Sequence, residues 1–318
     1  MDKQGKWKLS PAYDLCYSYT PGGKWTNSHQ LSLNGKQDNF TMADLQKVGE
    51  NMGIREHKQI IEEVQETVSH WHEIAKDCEA KPEHADFSEK VKAASKKHNI
   101  KVTTVVGVPG SHCVWNFRQG PATIGLVPKE ERAEKIKVYH EMIDFCAMAE
   151  IPAMHSHFGF IPEDPSSEQY KDFIKVMQDL ANYAKQRGVM IYFETGQETP
   201  TTLIRAIKDI ATGNVFINCD LANLLMYGKA NSLDAVKQFG SLIKEFHAKD
   251  GRYPDPNNPY ELGAEVPIPT GEVNFPAVIA ELKKQGFQGA LTIECELNGA
   301  RHDYVIKTRE YLQGLLDN

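Results

Sequence analysis

Four apolar runs in the carboxyl-terminal half of this sequence each finish on a side chain able to bind a cation or move a proton. Met190-Ile191-Tyr192-Phe193 ends in Glu194, Phe216-Ile217-Asn218-Cys219 in Asp220, Lys244-Glu245-Phe246 in His247, and Leu291-Thr292-Ile293 in Glu294. Carboxylates gathered at one place repel each other, and burial sharpens the repulsion. A hard divalent cation held by those oxygens and one imidazole nitrogen removes the penalty, with Mn, Mg or Co as natural occupants and Zn as a further option. One carboxylate at the end of a strand is ordinarily just solvated. Four ends in succession imply a metal bound by Glu194, Asp220, His247 and Glu294.

The elements that must carry these side chains alternate. Strands are predicted over 100–107, 151–157, 189–194, 215–220, 242–250 and 289–296, and helices over 129–150, 167–187, 201–210, 232–239, 275–285 and 303–316. Strand followed by helix, repeated, is the signature of a parallel sheet, and in such folds the active site gathers at the carboxyl ends of the strands. The fold class is therefore α/β, with TIM-barrel-type parallel (β/α) units, six where a closed barrel has eight, and a smaller α+β segment in front. In that segment, 7–15 and 29–35 read as strands around a turn at 21–24. Thr41-Met42-Ala43-Asp44 has N-cap chemistry, and 55–75 and 87–97 have helical spacing of apolar residues.

Other polar residues at the strand ends are candidates for substrate contacts. His155 and His157 alternate on one strand and share a face, with His157 nearer the rim. Lys249 follows His247 and can stabilise an oxyanion or hold a hydroxyl, with Asp250 beside it. Gln197 and Glu198 lie just beyond Glu194. The 115–121 loop carries the aromatic and cationic side chains Trp115, Phe117 and Arg118, suited to stacking on a ligand. For each of these a packed-core or solvated-loop role is the alternative. His70 and His72 sit about 200° apart on a helix and cannot share a metal. Gly22-Gly23 and 107–110 read as turns, and the chain has neither a Walker-type Gly-Lys-Ser/Thr nor a Gly-x-Ser-x-Gly elbow. The cysteines Cys16, Cys78, Cys113, Cys146, Cys219 and Cys295 are dispersed and read as reduced core residues.

Composition narrows the partners. The 318 residues are 41% hydrophobic and carry a formal charge of -7, enough for a core and unsuited to bulk electrostatic binding of nucleic acid or anionic membrane. The sequence holds no apolar run of membrane-spanning or signal-peptide type, so a cytoplasmic protein acting on a small molecule is expected.

The segments 193–200, 218–224, 247–251, 266–271 and 292–296 resemble the sugar phosphate isomerase/epimerase family. These are the xylose-isomerase-like barrels, which include tagatose and psicose 3-epimerases, inosose dehydratase and endonuclease IV. The resemblance implies that Glu194, Asp220, His247 and Glu294 bind one divalent metal, and that Glu194 and Glu294 are also the catalytic acid/base pair. There the metal polarises a carbonyl while a carboxylate moves the proton on the next carbon. The Asp-x-x-His of the ketose 3-epimerases is here Asp220-Leu221-Ala222-Asn223, so Asn223 stands in the histidine's place, able to hydrogen-bond a hydroxyl, and the exact substrate does not carry over.

The first ~95 residues instead resemble the carboxyl-terminal part of a HipA-like toxin kinase, through 5–15 and 29–36. That resemblance places a magnesium ligand on Asp14, but the preceding nucleotide loop and catalytic loop of such a kinase are missing, so phosphoryl transfer is not expected. Met1 then corresponds to an internal methionine of a longer kinase. The expected organisation is a kinase-like fragment over 1–95 and a barrel domain over 99–318, fused near 85–98, with an open sheet to be covered by the helices of 55–97 or by a partner chain in a homo-oligomer. The expected function is a metal-dependent sugar or sugar phosphate isomerase or epimerase with Glu194 and Glu294 catalytic and His157, Asn223, Lys249 and Gln197 on the substrate. The alternatives are an inactive fusion of two truncated genes with residual metal binding, and a kinase-derived nucleotide binder.

Overall fold

The computed structural model describes residues 33–36, 40–69, 85–107, 113–297 and 301–317. The strands expected at 7–15 and over most of 29–35, the turns at 21–24 and 108–110, Asp14, the His70/His72 pair, Cys16 and Cys78 lie outside them. Of the amino-terminal segment, Leu33 and Lys36 form a single antiparallel bridge. Helix α1 (Met42–Asn51) starts where expected, on an N-cap Thr41 whose N–H is accepted by Asp44 at 2.8 Å. It packs on α2 (His57–Ser69), and Glu63 of α2 pairs with Lys97 at 3.4 Å.

Lys97 lies in α3 (Ala85–His98), which leads into β1 (Thr104–Val106). The strand-helix alternation then runs α4 (Arg132–Met148), β2 (Ala153–Ser156), α5 (Glu168–Gln186), β3 (Met190–Glu194), α6 (Pro200–Ile210) and β4 (Val215–Asp220). It continues with α7 (Leu221–Met226), α8 (Ser232–Phe239), β5 (Ile243–Ala248), the short β6 (Asp250–Gly251) and β7 (Glu265–Val266), α9 (Phe275–Lys284), β8 (Leu291–Ile293) and α10 (Arg301–Asp317). Strands β6 and β7 pair antiparallel as a separate flap, while the main sheet is parallel throughout in the order β1-β2-β3-β4-β5-β8. All six predicted strands and their helices are present.

Six parallel strands make a half-barrel, and among the described residues the sheet does not close: β1 pairs with β2 alone and β8 with β5 alone. The sheet is nonetheless strongly curved. The Thr104 hydroxyl on β1 donates to the Glu245 carboxylate on β5 at 3.0 Å, although three strands separate them in the sheet.

Period-two alternation decides which side chain faces where. On β3, Ile191 and Phe193 point to the helices, where Phe193 meets Phe173 of α5 and Phe158. Tyr192 and Glu194 therefore face the concave side. The same parity puts Asn218 and Asp220, and Glu245 and His247, on that side, while Ile217, Cys219, Phe246 and Ala248 join the apolar core. The helix layer extends one element further than the strands: Phe87 of α3 stacks on Phe145 of α4 at 5.6 Å, and Val91 packs against the core. The helix expected over 87–97 thus packs as a layer helix of the half-barrel.

The segment after β2, which carries His157, is pinned by a close backbone approach. Leu126 N–H donates to Phe158 carbonyl at 2.9 Å, and a Cβ on Gly125, at φ +69°, would lie 2.0 Å from the Phe158 carbonyl carbon. Gly188 has a similar φ of +72° but open space around it. Gly188→Ala should therefore cost only the ~1–2 kcal/mol of a left-handed non-glycine residue, whereas Gly125→Ala must also move backbone and should cost clearly more in urea unfolding. Equal losses would contradict this packing.

Candidate metal centre

Because β3, β4, β5 and β8 are consecutive in the sheet, their carboxyl ends form one short stretch of rim. Glu194 and Asp220 end their strands, His247 is the last residue but one of β5, and Glu294 follows β8 directly, where its N–H bonds to Ala248 carbonyl at 3.2 Å. One ligand atom from each of the four lies within 4.8 Å of all the others. Asp220 is fully buried, Glu194 and His247 nearly so, and Glu294 is 16% exposed. His247 Nδ1 sits 2.7 Å from Glu294 Oε2 and 3.5 Å from Glu194 Oε1. On the other side of the ring Nε2 faces the Asn218 amide at 3.1 Å. Nδ1 is thus the ring atom turned to the carboxylates, and Nε2 the one held by the amide.

The local balance of charge is poor without a cation. Burial, reinforced by Glu294 and Glu194, pushes the Asp220 carboxyl well above the ordinary carboxylate range despite Lys249 and His247. Burial also acts against ionised Glu194 and Glu294. For Glu194 the neighbouring His157 and His247 outweigh it and hold the acid form well below its usual range, and for Glu294 Lys249 and His247 do the same. His247 is raised well above its ordinary value because Glu294 and Glu194 overcome its desolvation. Asp220 Oδ2 has no hydrogen-bond partner, with only the Lys249 ammonium 3.8 Å away. A buried carboxylate oxygen without a donor, among two further carboxylates and an imidazole, fits a divalent cation.

Sequence-predicted substrate residues surround this cluster. His157 Nε2 is 3.4 Å from Glu194 Oε2, its Nδ1 is buried without a partner, and Trp115 meets its ring edge-on at 4.9 Å. Lys249, itself buried, reaches Asn223 Oδ1 at 3.5 Å and Glu294 Oε1 at 3.7 Å. Asn223 stands in the first turn of α7, where its N–H caps onto Asp220 Oδ1 at 2.9 Å. Asp220 is thus ligand candidate and helix cap together. The buried Gln197 amide lies beside the Tyr227 hydroxyl, and burial raises the adjacent Glu198 carboxyl to about 7. The aromatic loop reaches the same neighbourhood, with Phe117 against Tyr227 at 5.9 Å.

Asp250 has a different task. Its carboxylate accepts from the N–H groups of Gly251, Gly271 and Val273 at 2.9, 2.8 and 3.1 Å, and so anchors the 271–273 loop. Cys113, Cys146, Cys219 and Cys295 form no disulfide with one another, and burial raises the Cys219 thiol well above its ordinary value. Asn218 and Glu245, two positions before Asp220 and His247, were not expected to take part, and His155 was expected only to share the face of His157. The signal for them was the same alternation that faces the ligands inward.

A family model described as xylose isomerase-like TIM barrel matches residues 63–315, and one described as HipA-like C-terminal domain matches residues 1–71. Inosose dehydratase of Clostridium tetani is 24% identical over 165 residues, 46% of this chain and 55% of that protein. The chain spans about half the length of the curated relatives it matches. A xylose isomerase domain protein from Planctomyces limnophilus superposes with a TM-score of 0.68 at 31% identity, over 73% of this chain and 83% of that one. A D-tagatose 3-epimerase-like protein shares the fold, with a TM-score of 0.56 at 20% identity over 72% and 82% of the two chains. No helix among the described residues is long and apolar enough to cross a membrane. With six parallel strands, a ligand cluster at their carboxyl rim and a model match over most of its length, the chain belongs to the xylose isomerase-like TIM barrel family.

Proposed function

We propose that this chain is a divalent-metal-dependent isomerase or epimerase of a sugar or sugar phosphate. The convergence of Glu194, Asp220, His247 and Glu294 within 4.8 Å carries that proposal. The inosose dehydratase relative and the tagatose-epimerase-like neighbour, whose names point to polyhydroxylated substrates, support the choice of substrate class. When bound, a divalent cation lowers the cost of removing a proton beside a carbonyl.

The chain's own residues supply the rest. Glu194 and Glu294 reach the cluster from different strands, so one carboxylate takes the proton and the other returns one. The taker must start ionised and the giver protonated, and the flanking His157, His247 and Lys249 favour the ionised, base form of each. Lys249 lies where its ammonium can hold a hydroxyl or developing oxyanion, with Asn223 beside it to fix its direction. His157 brings a buried ring nitrogen without a partner, which a substrate hydroxyl would satisfy, and Gln197 brings a buried amide.

A second possibility has its own support: the HipA-like match over residues 1–71 and the unclosed sheet favour a fusion that binds metal without turning over a sugar. The two diverge in the chemistry they allow.

Metal binding should appear as stabilisation. Chelator-treated protein given Mn2+ at a hundred times its dissociation constant should gain about 2.7 kcal/mol of stability, and Asp220→Asn should lose that gain. No metal-dependent shift in the wild-type melt would contradict the site. For the reaction, Mn2+-loaded protein in D2O should place deuterium on the carbon next to the carbonyl of at least one free or phosphorylated ketose, followed by NMR. Glu294→Gln should slow that exchange by roughly 10²–10⁴. Metal uptake with no exchange on any ketose would exclude the isomerase and leave the fusion.

A further inference from the structure

A second polar layer lies beneath the four strand ends, in a place where barrels of this type ordinarily pack branched apolar side chains. His155 of β2 is 1% exposed, and its ring stands between two carboxylates. Its Nε2 is 3.6 Å from Glu194 Oε2 and its Nδ1 is 3.6 Å from Glu245 Oε2. Buried Thr104 donates to Glu245 at 3.0 Å and lies 3.3 Å from His155 Nδ1. Hydroxyl, carboxylate and imidazole so connect β1 and β5 through β2 to the carboxylate on β3. The cost of burying these groups where valine or leucine would fill the space calls for a return.

That return is visible in how Glu194 is turned. His155 and His157 both face the same oxygen, Oε2, at 3.6 and 3.4 Å, whereas Oε1 faces His247 at 3.5 Å. A carboxylate rotates about its last bond, so only side chains fixed on one side decide which oxygen is presented to the other. His155 is fixed in turn, because Glu245 and Thr104 hold its opposite nitrogen. We infer that Thr104, Glu245 and His155 form a positioning chain that keeps Glu194 Oε2 on the β2 side and so presents Oε1 to Asp220, His247 and Glu294. Glu245 and Thr104 act through His155 and do not touch the substrate.

This inference rests on the proposed metal role of the four strand-end residues. Its test is Mn2+ binding to the full-length chain, by calorimetry and by electron paramagnetic resonance of the bound ion. Glu245→Gln and His155→Gln should each weaken Mn2+ by about tenfold or more, and the double variant by less than the product of the two. Thr104→Ser, which keeps the hydroxyl, should bind as the wild type does, while the near-isosteric Thr104→Val should bind more weakly. The spectrum of the bound Mn2+ should change in Glu245→Gln although Glu245 is no ligand, a readout that a purely structural role would not move. The Thr104 pair keeps the test decisive should Glu245→Gln fail to fold. Wild-type affinity and spectrum in Thr104→Val and Glu245→Gln would overturn the positioning chain while leaving the metal site standing. A wild-type chain that takes up no Mn2+ would overturn both.

Discussion

Three carboxylates share one buried stretch of rim, and most of what surrounds them answers that fact. Two like charges about 4 to 5 Å apart repel by about 3.5–4 kcal/mol at an effective dielectric near 20. A third charge added to such a pair raises the repulsion further, and the Asp220 carboxyl is pushed up in response. His247 and Lys249 offset part of this, which is why both are held protonated far above their usual ranges after burial has worked against them. Asp220 remains the uncompensated member, its carboxyl pushed up and one oxygen without a donor. A divalent cation supplies the missing charge at a single point. Oxygen-rich ligation with one imidazole suits Mg, Mn or Co, and Zn also accepts such a set.

The half-barrel retains what this constraint needs. The ligands come from β3, β4, β5 and β8, an unbroken run of neighbours, so an open sheet costs the cluster none of its members. Curvature is kept by side chains across the concave face, Thr104 to Glu245 above all, rather than by closure of the hydrogen-bonded ring. On the outer side α3 carries the helix layer past β1, through Phe87 on Phe145. The two edge strands are the liability of this arrangement, since unpaired ladder groups invite association with other chains.

Much of this was legible in the sequence for physical reasons that can be named. Apolar runs that end in one acidic or basic residue mark buried parallel strands and their carboxyl ends together. Strand order then follows from short right-handed connections, so Glu194, Asp220, His247 and Glu294 could be placed side by side. Helix limits were legible to within a few residues, as at Ser167 and Thr199, whose side chains cap α5 and α6. The polar interior layer was not. His155, Asn218 and Glu245 sit mid-strand in otherwise apolar or mixed runs, and their partners are 141 residues away in the case of Thr104 and Glu245. Long-range pairing leaves no trace in local spacing. The loop role of Asp250 was hidden for the same reason, because the amides it binds belong to Gly271 and Val273. Asn223 shows the converse: its departure from histidine was plain in the sequence, and its contact with Lys249 needed the fold.

The claim at the centre of this structure is that the four strand-end side chains hold one divalent cation. Anomalous diffraction from crystals grown with Mn2+, recorded on both sides of the manganese edge, tests it directly. One strong peak bonded to Glu194, Asp220, His247 and Glu294 is the predicted result. An empty rim, with Lys249 turned in among the three carboxylates in its place, would contradict it.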